Sequence, residues 1–312
     1  MTVVPNPSEN GDRRGLAGLS PNLVASGLMI LAFFVFSMMA VFMREIGDTI
    51  HVLQVILIRQ AVAMLLMTPW FWRDRAFILR PRGFRLHLTR GILAVIAMAC
   101  GLTSILYISF ADATAIQMSE VLIATALAAL VLKEHVGWRR WTATAVGFVG
   151  VVIMTKPFGG GFEPYALVAL VGAVAGGAGM IAVRLGSAYD RTTTVLFWQA
   201  VVVIALVSPV AAMVWVTPTQ EDAVLLIGMA LIFAAGNWLF TSALRLGDTA
   251  AIAPLHYLRL IIMAGLGWWI YAEVPSLTTV IGAVLVLGAA SYTIGRNARK
   301  KSLAEPDGPP SA

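Results

Sequence analysis

Three ionisable side chains interrupt apolar stretches of this chain: Arg59, Glu120 and Arg259. A guanidinium so placed can hold a carboxylate or phosphate in a two-pronged fork. A neighbouring carboxyl can receive an amino or other cationic group, or a coupling proton once burial favours the neutral acid. The alternative use is a structural ion pair, Glu120 with Arg59 or Arg259, that ties helices together. Several residues could line the same cavity: Gln117 ahead of Glu120, His256 and Tyr257 ahead of Arg259, and the pairs Trp198–Gln199 and Asn237–Trp238. These, with the three charges, are the expected substrate-binding residues. Glu120 and His256 are candidates for coupling, since a histidine titrates near neutral pH, and Glu134 and Glu273 are candidates for gating.

Other chemistry finds little support. The histidines at 51, 87, 135 and 256 are scattered and the only cysteine is Cys100, so no metal site or other cofactor is indicated. The string Gly177-x-Gly179-x-x-Ala182 has the spacing of a dinucleotide fingerprint, but an apolar run surrounds it and no strand precedes it. Its glycines, with Gly172 and Gly176, read instead as a close-packing face in lipid. Gly159-Gly160-Gly161 lacks the Lys-Ser/Thr of a phosphate-binding loop. No nucleophile–base spacing stands out, so an enzyme is not expected.

The elements that hold these residues must be membrane helices. Hydrophobic residues make up 59% of the chain and charged ones 12%, against roughly 45–50% and 25% in soluble domains. At roughly 20 residues per span, the length allows about ten. The expected segments are 22–43, 51–70, 88–107, 112–132, 138–154, 164–184, 192–215, 222–242, 249–271 and 277–295. With the N-terminus inside, 22 Lys and Arg fall almost wholly on the cytoplasmic side; only Arg44 and Lys156 fall outside, with Arg59 and Arg259 in helices. That bias puts both termini in the cytoplasm. It also accounts for the net charge of +6 without nucleic acid. At 1.5 Å per residue, Arg59, Glu120 and Arg259 all fall about 12–16 Å into the bilayer, and such charges are expected to face the interior of the bundle.

Two stretches read as one module written twice. Ala111-Asp112-Ala113-Thr114-Ala115 leads to Lys133-Glu134, and Gly247-Asp248-Thr249-Ala250-Ala251 leads to Ala272-Glu273. Each Asp reads as a helix N-cap. Aligned on the two Glu residues, Glu120 matches Arg259. An odd number of spans per copy makes the copies antiparallel, the construction of alternating-access carriers.

These residues, with Arg59, Arg90-Gly91 and Ala243-Leu244-Arg245-Leu246, resemble the drug/metabolite transporter (DMT) superfamily, in particular its EamA-like family. The resemblance spans residues from about 22 to 297. It implies an all-α integral membrane fold of ten transmembrane helices as two inverted five-helix repeats. The expected layout is a cytoplasmic disordered tail (1–21), a first repeat (22–154), a loop (155–163), a second repeat (164–297) and a cytoplasmic tail (298–312). Two positions depart from the family's usual proline, Val121 and Leu260.

The expected function is secondary transport of a small organic metabolite across a bacterial-type inner membrane, the solute being a zwitterion or anion that is amino-acid-like or S-adenosylmethionine-like. Alternatives are a riboflavin-type or other heterocycle, amino-acid export or, more remotely, a membrane-embedded lipid-modifying enzyme. The expected partners are the solute and the bilayer, with monomer and homodimer both open.

Overall fold

The computed structural model describes residues 21–304 apart from 80, 82, 134–137, 156–162, 187–191, 247–254 and 256–257. The described residues form helices and connections, with no strands among them. In chain order the helices are α1 (Pro21–Ile46), α2 (Val52–Arg73), α3 (Arg75–Ile78), α4 (Phe84–Tyr107), α5 (Phe110–Gln117) and α6 (Glu120–Val131). There follow α7 (Trp138–Thr155), α8 (Pro164–Gly186), α9 (Thr192–Met213), α10 (Gln220–Leu246), α11 (Leu258–Tyr271) and α12 (Leu277–Ala304).

Among the described residues, seven helical stretches are long and apolar enough to cross a membrane, counting Phe110–Val131 as one; Trp141–Thr155, Leu258–Tyr271 and Leu277–Ala289 are shorter apolar helices. This is a multi-pass membrane protein. Its outer surface agrees, because large apolar side chains such as Leu65, Leu130, Val224, Ile261 and Val284 are exposed. In water that arrangement would be costly; in lipid it is neutral. Trp70, Trp72, Trp138, Trp215, Trp268 and Trp269 are also exposed, near the ends of their helices or just beyond. Amphipathic rings settle there, at the headgroup level.

The helices pack in well-defined pairs: α1 on α10, α4 on α8, α7 on α12, α2 on α9, and α11 across α5. Small residues set the closest approach. A Cβ on Gly150 of α7 would stand 2.6 Å from the carbonyl oxygen of Gly282 in α12, so only glycine lets these backbones meet.

Sequence and structure differ at several points. The fourth expected span, 112–132, is two helices, because α5 ends at Gln117 and α6 begins at Glu120. Asp112 is not an N-cap. Ser109 holds that place: its Oγ accepts from the Asp112 amide at 3.1 Å and donates to the Asp112 carboxylate at 2.7 Å. Asp112 is the third helical residue of this capping box. α12 continues to Ala304, past the expected domain boundary at 297. Asp248 and much of the expected start of the ninth span lie outside the described residues.

Candidate functional site

The break between α5 and α6 positions Glu120. At Met118–Ser119 the chain tightens: the Ser119 amide and hydroxyl both donate to the Ile116 carbonyl, at 3.0 and 2.6 Å. The helix restarts with Glu120 in its first turn, where the partial positive charge of the helix end favours a carboxylate. Helix α8 makes room on the other side, since a Cβ on Gly176 would lie 2.6 Å from Glu120 Oε2. Gly176, read from sequence as a packing residue, therefore also fits a functional side chain. Gly179 of the same string meets nothing within 4 Å and is not a packing contact.

Arg259 stands in the first turn of α11. Its neighbour Leu260 and Glu120's neighbour Val121 pack in one core cluster, yet no hydrogen bond or direct ion pair joins the two charges. The Arg259 Nε is buried without an acceptor. One turn before Glu120, Gln117 donates to Ser104 Oγ at 3.2 Å and weakly to the Gly101 carbonyl at 3.4 Å, which ties α5 to α4. Gln117 and Glu120 thus lie where α5, α6 and α8 meet, and α11, which carries Arg259, packs across α5.

Arg59 lies elsewhere. Its guanidinium sits 4.4 Å over the Phe233 ring of α10, and its Nη1 approaches Met39 Sδ of α1 at 3.7 Å. Burial is nearly complete, at 4% exposure, and Nε finds no acceptor. A cation over an aromatic face gains about 0.5–2 kcal/mol, whereas a charge held in the membrane costs about 2.5–3.5 kcal/mol or more. The ring alone does not offset that cost. In this conformation the three charges therefore form a pair and a separate cation rather than one cluster.

A polar network that the sequence did not reveal joins the end of α1 to the ends of α4 and α11 and the start of α5. Arg44, at the end of α1, pairs with Glu273 just after α11. Its Nη2 also donates to the carbonyls of Ile105 and Ile108 at 2.7 and 2.6 Å, and its Nε to Ile105 at 3.1 Å. Glu273 Oε2 accepts from the Phe110 amide at 2.9 Å, capping α5. The guanidinium packs 4.0 Å over Phe110 and 4.9 Å over Tyr271, whose hydroxyl donates to Glu45 at 2.8 Å. Thr279 of α12 donates to the other oxygen of Asp112. Glu273 thus fastens α11 to α1, α4 and α5. A signal for Arg44 was present: it is one of two basic residues that the charge bias leaves on the expected outer side, and an exception to that bias calls for an acid nearby.

The remaining expected residues are dispersed. Trp198 donates to the Ile78 carbonyl at 2.9 Å and packs edge-on against Phe84, which anchors α9 to α3 and α4. Gln199 is partly buried in α9. Asn237 donates to the Phe233 carbonyl one turn earlier at 2.9 Å, and Trp238 is 61% exposed on α10. Tyr257, His256 and Glu134 lie outside the described residues. No group of three metal-ligating side chains occurs among the described residues.

A multi-pass helical bundle with charged side chains enclosed at mid-depth belongs to the class of membrane transport proteins. The comparison with known families narrows this. The EamA-like transporter family matches twice, over residues 23–156 and 164–295, and the chain belongs to that family. It is 27% identical over 283 residues to an S-adenosylmethionine uptake transporter of Rickettsia felis, covering 88% of this chain and 94% of the relative. It is 26% identical over 272 residues to the pseudopaline exporter CntI of Pseudomonas aeruginosa, covering 86% and 95%. A riboflavin transporter of Rhizobium johnstonii matches at 27% over 216 residues, covering 69% and 72%. One solved structure shares the fold, with a TM-score of 0.59 at 15% identity over 88% of this chain and 97% of that one. The protein is a DMT-family transporter of small metabolites.

Proposed function

We propose that the chain carries a zwitterionic or anionic metabolite, amino-acid-like or S-adenosylmethionine-like, across a bacterial-type inner membrane by alternating access. The site is centred on Glu120, Arg259 and Gln117. In this reading three short apolar helices complete ten spans, the halves are inverted repeats bounded near 22–154 and 164–297, and both termini are cytoplasmic.

The observation that carries the proposal is the convergence of Glu120 and Arg259 on one core region. They hold the same position in the two copies of the repeat, each in the first turn of a helix, and their neighbours Val121 and Leu260 pack in one core cluster. Residues related by a twofold operation can meet only near its axis, where an alternating carrier keeps its fixed site. Helix pairing supports the symmetry, since exchanging the halves turns the α1–α10 contact into the α8–α4 contact and leaves α7–α12 paired with itself. Backbone detail supports it too. Lys133 and Ala272, each just before the paired Glu, both take left-handed φ, +52° and +53°, which costs non-glycine residues energy and recurs where geometry demands it.

The Arg44–Glu273 network seals the outer side in this conformation, and opening outward requires its separation. Glu120 and Arg259, joined by no hydrogen bond, suit a solute bearing both an acid and an amine, which would answer both charges. A second reading, a riboflavin-type heterocycle, draws on the riboflavin-transporting relative.

The test is uptake of labelled S-adenosylmethionine, amino acids and riboflavin into liposomes containing only this chain. Saturable movement of a zwitterion, lost in Arg259→Ala, supports the proposal. Preference for riboflavin would favour the second reading, and conversion of a lipid without solute movement would point to an enzyme instead.

A further inference from the structure

Arg59 is a buried cation that no acid answers among the described residues. Among the described residues the Nε and Nη2 edge of its guanidinium meets no acceptor, while Nη1 has only a thioether and the flat face only a ring. Helix α1 stands between it and the Glu120–Arg259 site. Met38, Ala40 and Val41 pack into the core cluster that holds Met118, Val121, Leu260 and Met263. Met39 and Phe42 pack into the cluster around α2. Two charged positions at comparable depth thus flank one helix whose intervening residues include two adjacent methionines, side chains that repack readily.

We propose that Arg59 is a separate anion subsite that takes a carboxylate of the carried solute on its unpaired Nε–Nη2 edge, at a stage of transport distinct from its stay at Glu120 and Arg259. Two parallel N–H···O bonds there match a carboxylate in a way a single-point cation does not. The surround favours an organic acid over an inorganic anion. Phe233 and Met39 flank the guanidinium, and the Phe36 ring lies 6.4 Å from Phe233 between centroids. Such walls reward an apolar stem on the anion and offer no donors to a fully hydrated ion such as chloride or phosphate. The inference deepens the transport reading and rests on it, adding a required carboxylate to the substrate class.

The experiment is a thermal-shift titration of the purified full-length protein. The probes are amino acids, hydroxy acids and dicarboxylates, each beside its carboxamide, with sodium chloride and sodium phosphate as inorganic arms. At least one carboxylate is expected to raise the melting temperature, with its carboxamide about tenfold weaker in apparent affinity. Arg59→Gln should erase that difference, and Arg59→Lys should keep part of it. The subsite is overturned if no carboxylate binds, if amides match acids in the wild type, if chloride or phosphate alone gives the shift, or if Arg59→Gln keeps the preference. Should Arg59→Gln fail to fold, the wild-type comparison and Arg59→Lys decide. Uptake separates the two ideas: liposome transport indifferent to the carboxylate removes the subsite and leaves the carrier standing, whereas no transport of any solute removes the carrier reading.

Discussion

The helix ends around Arg44 and the interior of the bundle use the same residue types to opposite effect. At the helix ends every nitrogen of the Arg44 guanidinium finds an oxygen, and both oxygens of Glu273 find donors. In the interior Arg59 and Arg259 each keep a buried Nε without an acceptor. A satisfied charge network holds helices in place, and adding a ligand to it gains little. An unsatisfied buried charge has an interaction in reserve, and a solute of opposite charge can supply it. The contrast therefore separates a seal from a site.

Substitutions sharpen or break this contrast. The largest expected effect is on transport. Arg259→Ala or Glu120→Ala should lower uptake about a hundredfold, equivalent to about 2.7 kcal/mol, with insertion intact; uptake at wild-type rates in both would return the pair to a purely structural role. Next comes the seal, where Glu273→Ala or Arg44→Ala should destabilise the fold by about 2 kcal/mol, since each leaves a partly buried charge and freed backbone groups. A double-mutant cycle on the two residues measures their coupling, and additive losses would mean that the bond contributes nothing to closure.

A smaller effect compares two glycines on one helix. Gly176→Ala places a methyl against the Glu120 carboxylate and should reduce uptake several-fold, whereas Gly179→Ala meets open space and should be neutral or stabilising by up to about 1 kcal/mol from helix propensity. Equal responses at 176 and 179 would mean that Gly176 does not shape the site. The smallest is Trp238→Ala, where an exposed ring should cost uptake less than about twofold, as expected for surface positions; a large loss would move α10 into the solute path.

Much of the fold was legible because spans are long and composition is extreme. The regular run of apolar residues placed most of the described helix ends to within a few positions, though α12 runs on to Ala304, and the two Glu landmarks revealed the duplication. The break in the fourth span was not legible. Ile116-Gln117-Met118-Ser119 contains neither proline nor glycine, and the interruption comes from Ser119 turning back on the Ile116 carbonyl, an option serine always has and does not always use. The Ser109–Asp112 capping box was present as a pattern, but Asp112 alone drew attention. Arg44 and Glu273 are 229 residues apart, so proximity in the chain could not join them. Arg59 was expected to share a chamber with Glu120 because depth is readable from helix position; rotation about the axis is not, and α1 stands between them. For Trp198 and Trp238, residue type did not reveal which way each side chain points.

The proposal turns on a site at Glu120 and Arg259 that solvent reaches from one face only, with Arg44 and Glu273 closing the other. Cys100 is the sole cysteine, so Gln117→Cys in a Cys100→Ala background offers one thiol beside Glu120. A membrane-impermeant thiol reagent should label it from the cytoplasmic face, and from the outer face only after Arg44→Ala. A thiol inert from both faces, or labelled equally from the outer face with Arg44 intact, would contradict the account.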